Sequence, residues 1–216
     1  ITAKWGEEEM GGANTYPVWV NDDSARPYIY HAVFEPSFAS ARPISLRGWF
    51  YRCSNLRDLS GLENLNTSQV TSMAVMFYQC TSLESIDLSM LDVSNVTTMS
   101  SMFDNCFQLM SINMSGWNTA NVTSMNHMFS SSNYSDYALK SLDISSFDTH
   151  NVTDMNYMFD NRQGLVTVYV GEGWSVENVD YYNGNAMFNR CNSLVGQDGT
   201  TYYNQRISQE YAHYGA

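Results

Sequence analysis

Long apolar runs are missing from this 216-residue chain. None approaches about 18 residues, so no segment reads as a membrane span. Charge is scarce, at 15% of residues, and positive charge is scarcest: 10 Lys and Arg stand against 22 Asp and Glu, for a net charge of −12. Duplex nucleic acid is a phosphate polyanion, so a chain this acidic is a poor general binder of it. No C-x-x-C pair occurs, which argues against a zinc site. There is no G-x-S-x-G, no phosphate loop and no H-E-x-x-H, and the four histidines (His31, His127, His150, His213) have no partner at ligand spacing. Outward acids such as Asp87 and Asp143 lack the cleft that a glycosidase pair needs. A catalytic residue, a cofactor and a metal are therefore not expected. No signal-peptide pattern follows Ile1, and a start without Met is what a trimmed chain would show.

What is present is enough to fold. Apolar residues make up 44% of the chain, above the composition of disordered segments. The charge is segregated. Between Arg26 and Arg57 stand five arginines (26, 42, 47, 52, 57) and one acid, Glu35; from Asp58 to Asp160 stand eleven acids and one base, Lys140. Such an arrangement fits a solvated surface. It also fits weak charge-driven self-association, basic end to acidic middle.

The dominant feature is a repeat. "VSNVTTMSSMF" begins at Val93, "TANVTSMNHMF" at Thr119 and "THNVTDMNYMF" at Thr149. Aligned on the aromatic, the units place Phe50, Phe77, Phe103, Phe129, Phe159 and Phe188 at intervals of 27, 26, 26, 30 and 29 residues. Other apolar positions keep step: Leu56, Leu83, Leu109, Leu139, Leu165 and Leu194; Leu59, Ile86, Ile112, Leu142 and Val168; Val70, Val96, Val122, Val152 and Val179; Met76, Met102, Met128, Met158 and Met187. One unit cannot bury its apolar face alone, whereas stacked copies can, at roughly 4.8 Å per coil. Each unit reads as two halves. "LESIDLS" at Leu83 alternates like a strand, with Ser85 and Asp87 outward. "NVTTMSSMF" spaces Val96, Met99 and Phe103 like a short helix, with Asn95 or Ser94 at its N-cap. The expected fold is an α/β solenoid of about six coils of about 26 residues, with a parallel sheet on one face and short helices on the other. The alternative is a β-helix with no helical side. The expected layout is an N-terminal cap and first strand over residues 1–44, the repeats over 45–195 and a C-terminal cap or tail over 196–216. Trp5, Tyr16, Trp19, Tyr28 and Tyr30 are candidates for the covering cap.

"SNVTTMSSMF", "CTSLESIDLSMLDVSNVT" and "FASARPISLRGWFYRCSNL" resemble the BspA-like leucine-rich-repeat surface proteins of host-associated bacteria, and "LVTVYVGEGWS" and "CNSLVGQDGTTY" resemble the end of such proteins. The resemblance spans about residues 32–212. It implies a right-handed leucine-rich-repeat solenoid at the bacterial cell surface and adhesion to host matrix or epithelial proteins or to other microbial cells. It supplies no site, because the motif is scaffold.

Four cysteines (53, 80, 106, 191) each follow a ladder Phe by three residues. Parallel Cβ vectors favour buried free thiols over disulfides or a metal site. The N-x-S/T triplets at Asn95, Asn121 and Asn151 are the repeat's own turn and read as helix caps rather than glycan acceptors. Departures from the repeat are more informative. "SSSNYSDYALK" adds four residues after Phe129 and "DYYNGNAMF" adds two before Phe188. Tyr134, Tyr137, Tyr181 and Tyr182 make both insertions resemble adaptable binding loops. Tyr182 also occupies a Met ladder position. The competing surface is the sheet face: Ser85, Asp87, Ser111, Asn113, Ser141, Asp143, Thr167 and Tyr169. The insertions carry the aromatic anchors that tight interfaces use. A non-catalytic binding module for a protein or cell-surface ligand is therefore expected; a structural spacer or self-assembly segment is the alternative.

Overall fold

The computed structural model describes residues 17, 20, 21, 23–184 and 186–195. Six short strands recur once per unit: β1 (His31–Val33), β2 (Asp58–Ser60), β3 (Ser85–Asp87), β4 (Ser111–Asn113), β5 (Ser141–Ile144) and β6 (Thr167–Val170). They pair in parallel as β1–β2, β3–β4 and β5–β6, with Ile86 opposite Ile112 and Leu142 opposite Val168. The register joins equivalent positions of successive units, because a slip of one residue would turn the inward residues, such as Ile86, Ile112, Leu142 and Ile144, out to solvent.

The short helices expected on the second side are not formed. Residues 99–106 are turns that bond to their neighbours on both sides. The N–H groups of Met99, Ser101, Phe103 and Asn105 donate to the carbonyls of Ser124, Asn126, Met128 and Ser130 in the next unit; those of Met102, Asp104 and Cys106 close local turns on Met99, Ser101 and Phe103. Alternate donors thus point across the stack, which an α-helix, bonding i to i−4, does not allow. Most units use left-handed backbone twice: Val75 and Gln79, Ser101 and Asn105, Tyr157 and Asn161, Ala186 and Arg190 all have positive φ, whereas the unit carrying the first insertion has it at His127 alone. A β-branched residue such as Val75 (φ 53°) is strained there. The same pattern begins at Gly48 and Arg52. Burial spacing alone did not separate the two structures, since both bury Val96, Met99 and Phe103. The one described α-helix, α1 (Tyr181–Gly184), lies in the second insertion.

The Asn-Val-Thr triplet has a different task from the expected cap. Asn95 Nδ2 donates to Ser68 O, Asn121 to Ser94 O, Asn151 to Ala120 O and Asn178 to His150 O, at 2.6–2.8 Å. Two residues on, Thr97, Thr123 and Thr153 donate through Oγ1 to Thr71 O, Thr97 O and Thr123 O. Val96, Val122 and Val152 between them are fully buried. The triplet therefore joins each unit to the preceding one by side-chain bonds on either side of a core residue. The expected N-caps at Asn95 and Ser94 are absent because no helix follows them.

Inside, the ladder rings of Phe50, Phe77, Phe103, Phe129, Phe159 and Phe188 stack with centroids 5.1–5.8 Å apart and planes within 9°, in the range of offset stacking. Phe34 closes the column above Phe50, edge to face, and stacks on Trp49. Of the expected cap aromatics, Tyr28 and Tyr30 are exposed and do not cover the core, whereas Trp5, Tyr16 and Trp19 lie outside the described residues. The four thiols are free and buried. Cys80, Cys106 and Cys191 each point Sγ at the carbonyl of the preceding ladder Phe, at 3.0–3.1 Å.

Candidate functional site

The fourth unit breaks the thiol pattern, and that break builds the first insertion. Position 132, where the cysteine would stand, is Ser; the next unit carries Arg162 at the same place. Arg162 is 1% exposed. Its Nε donates to Phe129 O, the acceptor that a cysteine there would have used. Nη2 reaches Phe103 O, the acceptor left without its thiol, and Nη1 reaches Cys106 O, both at 3.2 Å. The positive charge is met by Asp136 of the insertion, Nη1 to Oδ2 at 2.6 Å, with both side chains 1% exposed. A buried guanidinium needs such a partner, because an unpaired charge in the interior is strongly unfavourable.

The rest of the insertion is held from both sides. Ser132 N–H donates to Asn105 Oδ1 of the preceding unit, and Asn161 of the following unit donates to Ser131 O. Asn133 Oδ1 turns the chain by accepting from Ser135 N–H. Gly164 N–H donates to Asp136 O, and a Cβ at Gly164 would lie 2.5 Å from Tyr137 Cα. Only glycine permits that approach. Sequence reasoning missed Arg162, Asp136 and Gly164. Their signal was available: two departures from the repeat, Arg for Cys and Gly at 164, fall in the unit that must accommodate the insertion.

The loop presents its tyrosines outward. Tyr134 is 63% exposed and Tyr137 52%. Arg190 lies over the Tyr134 ring, Cζ 5.1 Å from its centroid, and Lys140 lies over Tyr137, Nζ at 5.6 Å. Tyr137 donates its hydroxyl to Gln163 Oε1 at 3.0 Å. Lys140 is the residue before β5, so Tyr137 stands at the margin of the sheet face rather than apart from it. The second insertion occupies another station of the unit, between Val179 and Met187. Its Asn183 carbonyl accepts from Met155 N–H. Tyr182 is 79% exposed, so the Met ladder position it would fill is empty of its ring. The side chain of Tyr181 lies outside the described residues.

On the sheet face, Ser85, Asp87, Ser111, Asn113, Ser141, Asp143 and Tyr169 are exposed and Thr167 is half-buried. The acids are engaged in turns. Asp87 Oδ1 accepts from the N–H and hydroxyl of Ser89, Asn113 from Ser115 N–H and Asp143 from Ser145 N–H. The bonds from Ser89 hold the Asp87 carboxyl below the usual range. Much of this face's polar capacity is therefore used in keeping its own backbone.

A further polar column went unread in the sequence. Ser130 Oγ donates to Asp104 Oδ1 at 2.8 Å, and His127 Nδ1 lies 3.3 Å from the same hydroxyl. Asn189 donates to Asp160 Oδ1 at 2.7 Å, and His127 stacks on Tyr157. Burial raises the pKa of both Asp104 and Asp160. The order is carboxylate, hydroxyl, imidazole. A nucleophilic serine instead needs the imidazole to accept its proton and the carboxylate to orient the imidazole. Among the described residues no group of three His, Cys, Asp or Glu side chains is placed to hold a metal, and no helix is long and apolar enough to cross a membrane.

No curated protein and no solved structure matches the chain. A family model does, twice, over residues 44–141 and 133–213, as a repeating chain should, and the two matches overlap across the insertion. Since they span most of the sequence, the chain belongs to the family described as Mycoplasma protein of unknown function, DUF285.

Proposed function

We propose that the protein is a non-catalytic binding module of a bacterial cell surface. In this reading it is an adhesin-type, right-handed leucine-rich-repeat solenoid of the BspA-like kind, and it holds a protein or cell-surface ligand through the 130–139 insertion. The observation that carries the proposal is the Arg162–Asp136 pair. A loop of incidental drift has no need of a buried ion pair, a glycine cut to its backbone and bonds to both neighbouring units. Preorganised loops spend less of their binding energy on ordering. Membership in a family whose model matches twice agrees with a repetitive surface protein. The Asx turns of Asp87 and Asp143 favour the insertion over the sheet face.

The test is a screen of the chain against immobilised extracellular-matrix proteins, mucins and bacterial cells. Saturable binding that is lost in the double variant Tyr134→Ala/Tyr137→Ala and kept in Asp87→Ala/Asp143→Ala is the expected result. Binding lost only in the second variant, with both variants folded, moves the site to the sheet face. No binding to any surface favours the spacer reading.

A further inference from the structure

Between residues 58 and 195 the chain holds fourteen acids and only three Lys or Arg: Lys140, Arg162 and Arg190. All three converge on one insertion, although they come from three different units. Arg162 is spent inside, on Asp136. The other two are exposed and lie over the exposed rings, Lys140 on Tyr137 and Arg190 on Tyr134, with Arg190 Nη1 3.5 Å from the Tyr134 hydroxyl and its charge also acting on the half-buried Asp160 carboxyl. Gln163 accepts from the Tyr137 hydroxyl and donates to Asn161 Oδ1 at 3.2 Å, which fixes its amide. The result is a fixed patch of two rings, two cations and an oriented amide, set in an acidic surface.

The chemistry of that patch selects a ligand. Two cations reward a negative group. An extended polyanion or an Asp/Glu-rich protein segment would have to run on over the surrounding carboxylates, and like charges in apposition are unfavourable. The favoured partner therefore concentrates one negative charge on a compact body. The face of a tyrosine is the negative pole of its quadrupole and meets weakly positive C–H groups. Its hydroxyl and a fixed amide meet hydroxyls. A sugar ring offers C–H groups on one face and hydroxyls at its rim; a carboxylated sugar adds the single charge. Resting on the reading that the insertion is the binding surface, we propose that it is a receptor site for one carboxylated sugar residue, a sialic or uronic acid, at the end of a glycan.

The experiment uses the whole chain and four immobilised probes: a glycan ending in a carboxylated sugar, the same glycan with that carboxyl reduced to the alcohol, the same glycan lacking the terminal residue, and a peptide of Asp and Glu. Saturable binding to the first probe alone is expected. Arg190→Gln and Lys140→Gln, with urea midpoints near that of the parent, should each weaken it by about tenfold, the scale of one charge-assisted hydrogen bond. Equal binding to the reduced glycan, binding to the acidic peptide alone, binding to no probe, or indifference to both glutamine variants overturns the assignment. If the chain instead binds a matrix protein and Tyr134→Ala/Tyr137→Ala abolishes it, the ligand class is wrong and the surface is right. If the loss follows Asp87→Ala/Asp143→Ala, both fall.

Discussion

Asp136→Ala removes the carboxylate that is hydrogen-bonded to the buried guanidinium of Arg162. The magnitude follows from where the charge is left. Four carbonyls, of Phe129, Cys106, Phe103 and Ser130, still accept from the guanidinium, so its donors are not orphaned. Its full charge is, and with both side chains 1% exposed, water cannot replace the partner without opening the stack. Breaking a buried pair from one side costs about 3–5 kcal/mol. Arg162→Met should cost a similar amount, because it strips the carbonyls of Phe103 and Phe129 and leaves Asp136 buried and unpaired. The double variant then loses both charges together and should be less destabilised than the two single losses summed, with a coupling of about 1–3 kcal/mol. Urea denaturation followed by tryptophan fluorescence measures all three, since Trp49 and Trp117 are buried. Losses below about 1 kcal/mol for both single variants, or strict additivity in the cycle, would refute the idea that this pair holds the insertion to the core.

Phe103→Ala, in the middle of the ring column, should cost about 3–5 kcal/mol in the same melts. Asn121→Ala should cost about 1 kcal/mol, the worth of one hydrogen bond to Ser94 O, and should leave the circular dichroism unchanged because no helix depends on it. Dithiothreitol should leave Tm where it is, and a thiol reagent should label the protein only on unfolding, since burial pushes the thiols of Cys53 and Cys106 up to about 12. Asp104→Asn should stabilise the protein at neutral pH, because the amide still accepts from Ser130 and avoids the cost of burying an ionised carboxylate. The Asp104 pKa is raised in the folded state, so ionisation weakens folding above that value and the penalty fades as pH falls through it. The advantage of the variant in urea midpoint should therefore shrink on acidification; an advantage that grows would contradict the assigned burial effect.

The repeat register was legible because it rests on volume and polarity alone. Every ladder Phe, and every Leu predicted six or ten residues after it, is buried; of the strand residues, Ile86, Ile112 and Leu142 are buried, whereas Leu59 and Val168 are half-buried against the same core. The helical reading of "NVTTMSSMF" was not separable from the observed turns by periodicity. Helix signals report which residues are inside, whereas the choice here was made by main-chain donors that find better-placed acceptors in the next unit. The left-handed residues that permit this are Val75, Ser101, His127, Tyr157 and Ala186, with glycine only in the first described unit, at Gly48, so the usual marker did not recur with the repeat. The insertion was visible as extra length and tyrosine. Its anchoring was overlooked because the residues that hold it, Arg162 and Gly164, lie one unit further along the chain and depart from the repeat there rather than within the insertion.

Arg162 also changes how the array is partitioned. In a stack where each unit bonds to its neighbours, stability is a sum over adjacent pairs, and a unit can be cut, copied or exchanged at any junction. One side chain here reaches past the adjacent unit to the carbonyls of Phe103 and Cys106 while holding Asp136 in between. The three units it touches cannot be parted one at a time. The insertion is consequently not a loop that could be grafted alone: moved without the unit behind it, it would bring a buried aspartate with no cation, and left behind, that unit would keep a cation with no aspartate. Duplication, truncation or recombination within this family should therefore break before Phe103 or after Gly164, and carry the stretch between them as a single cassette.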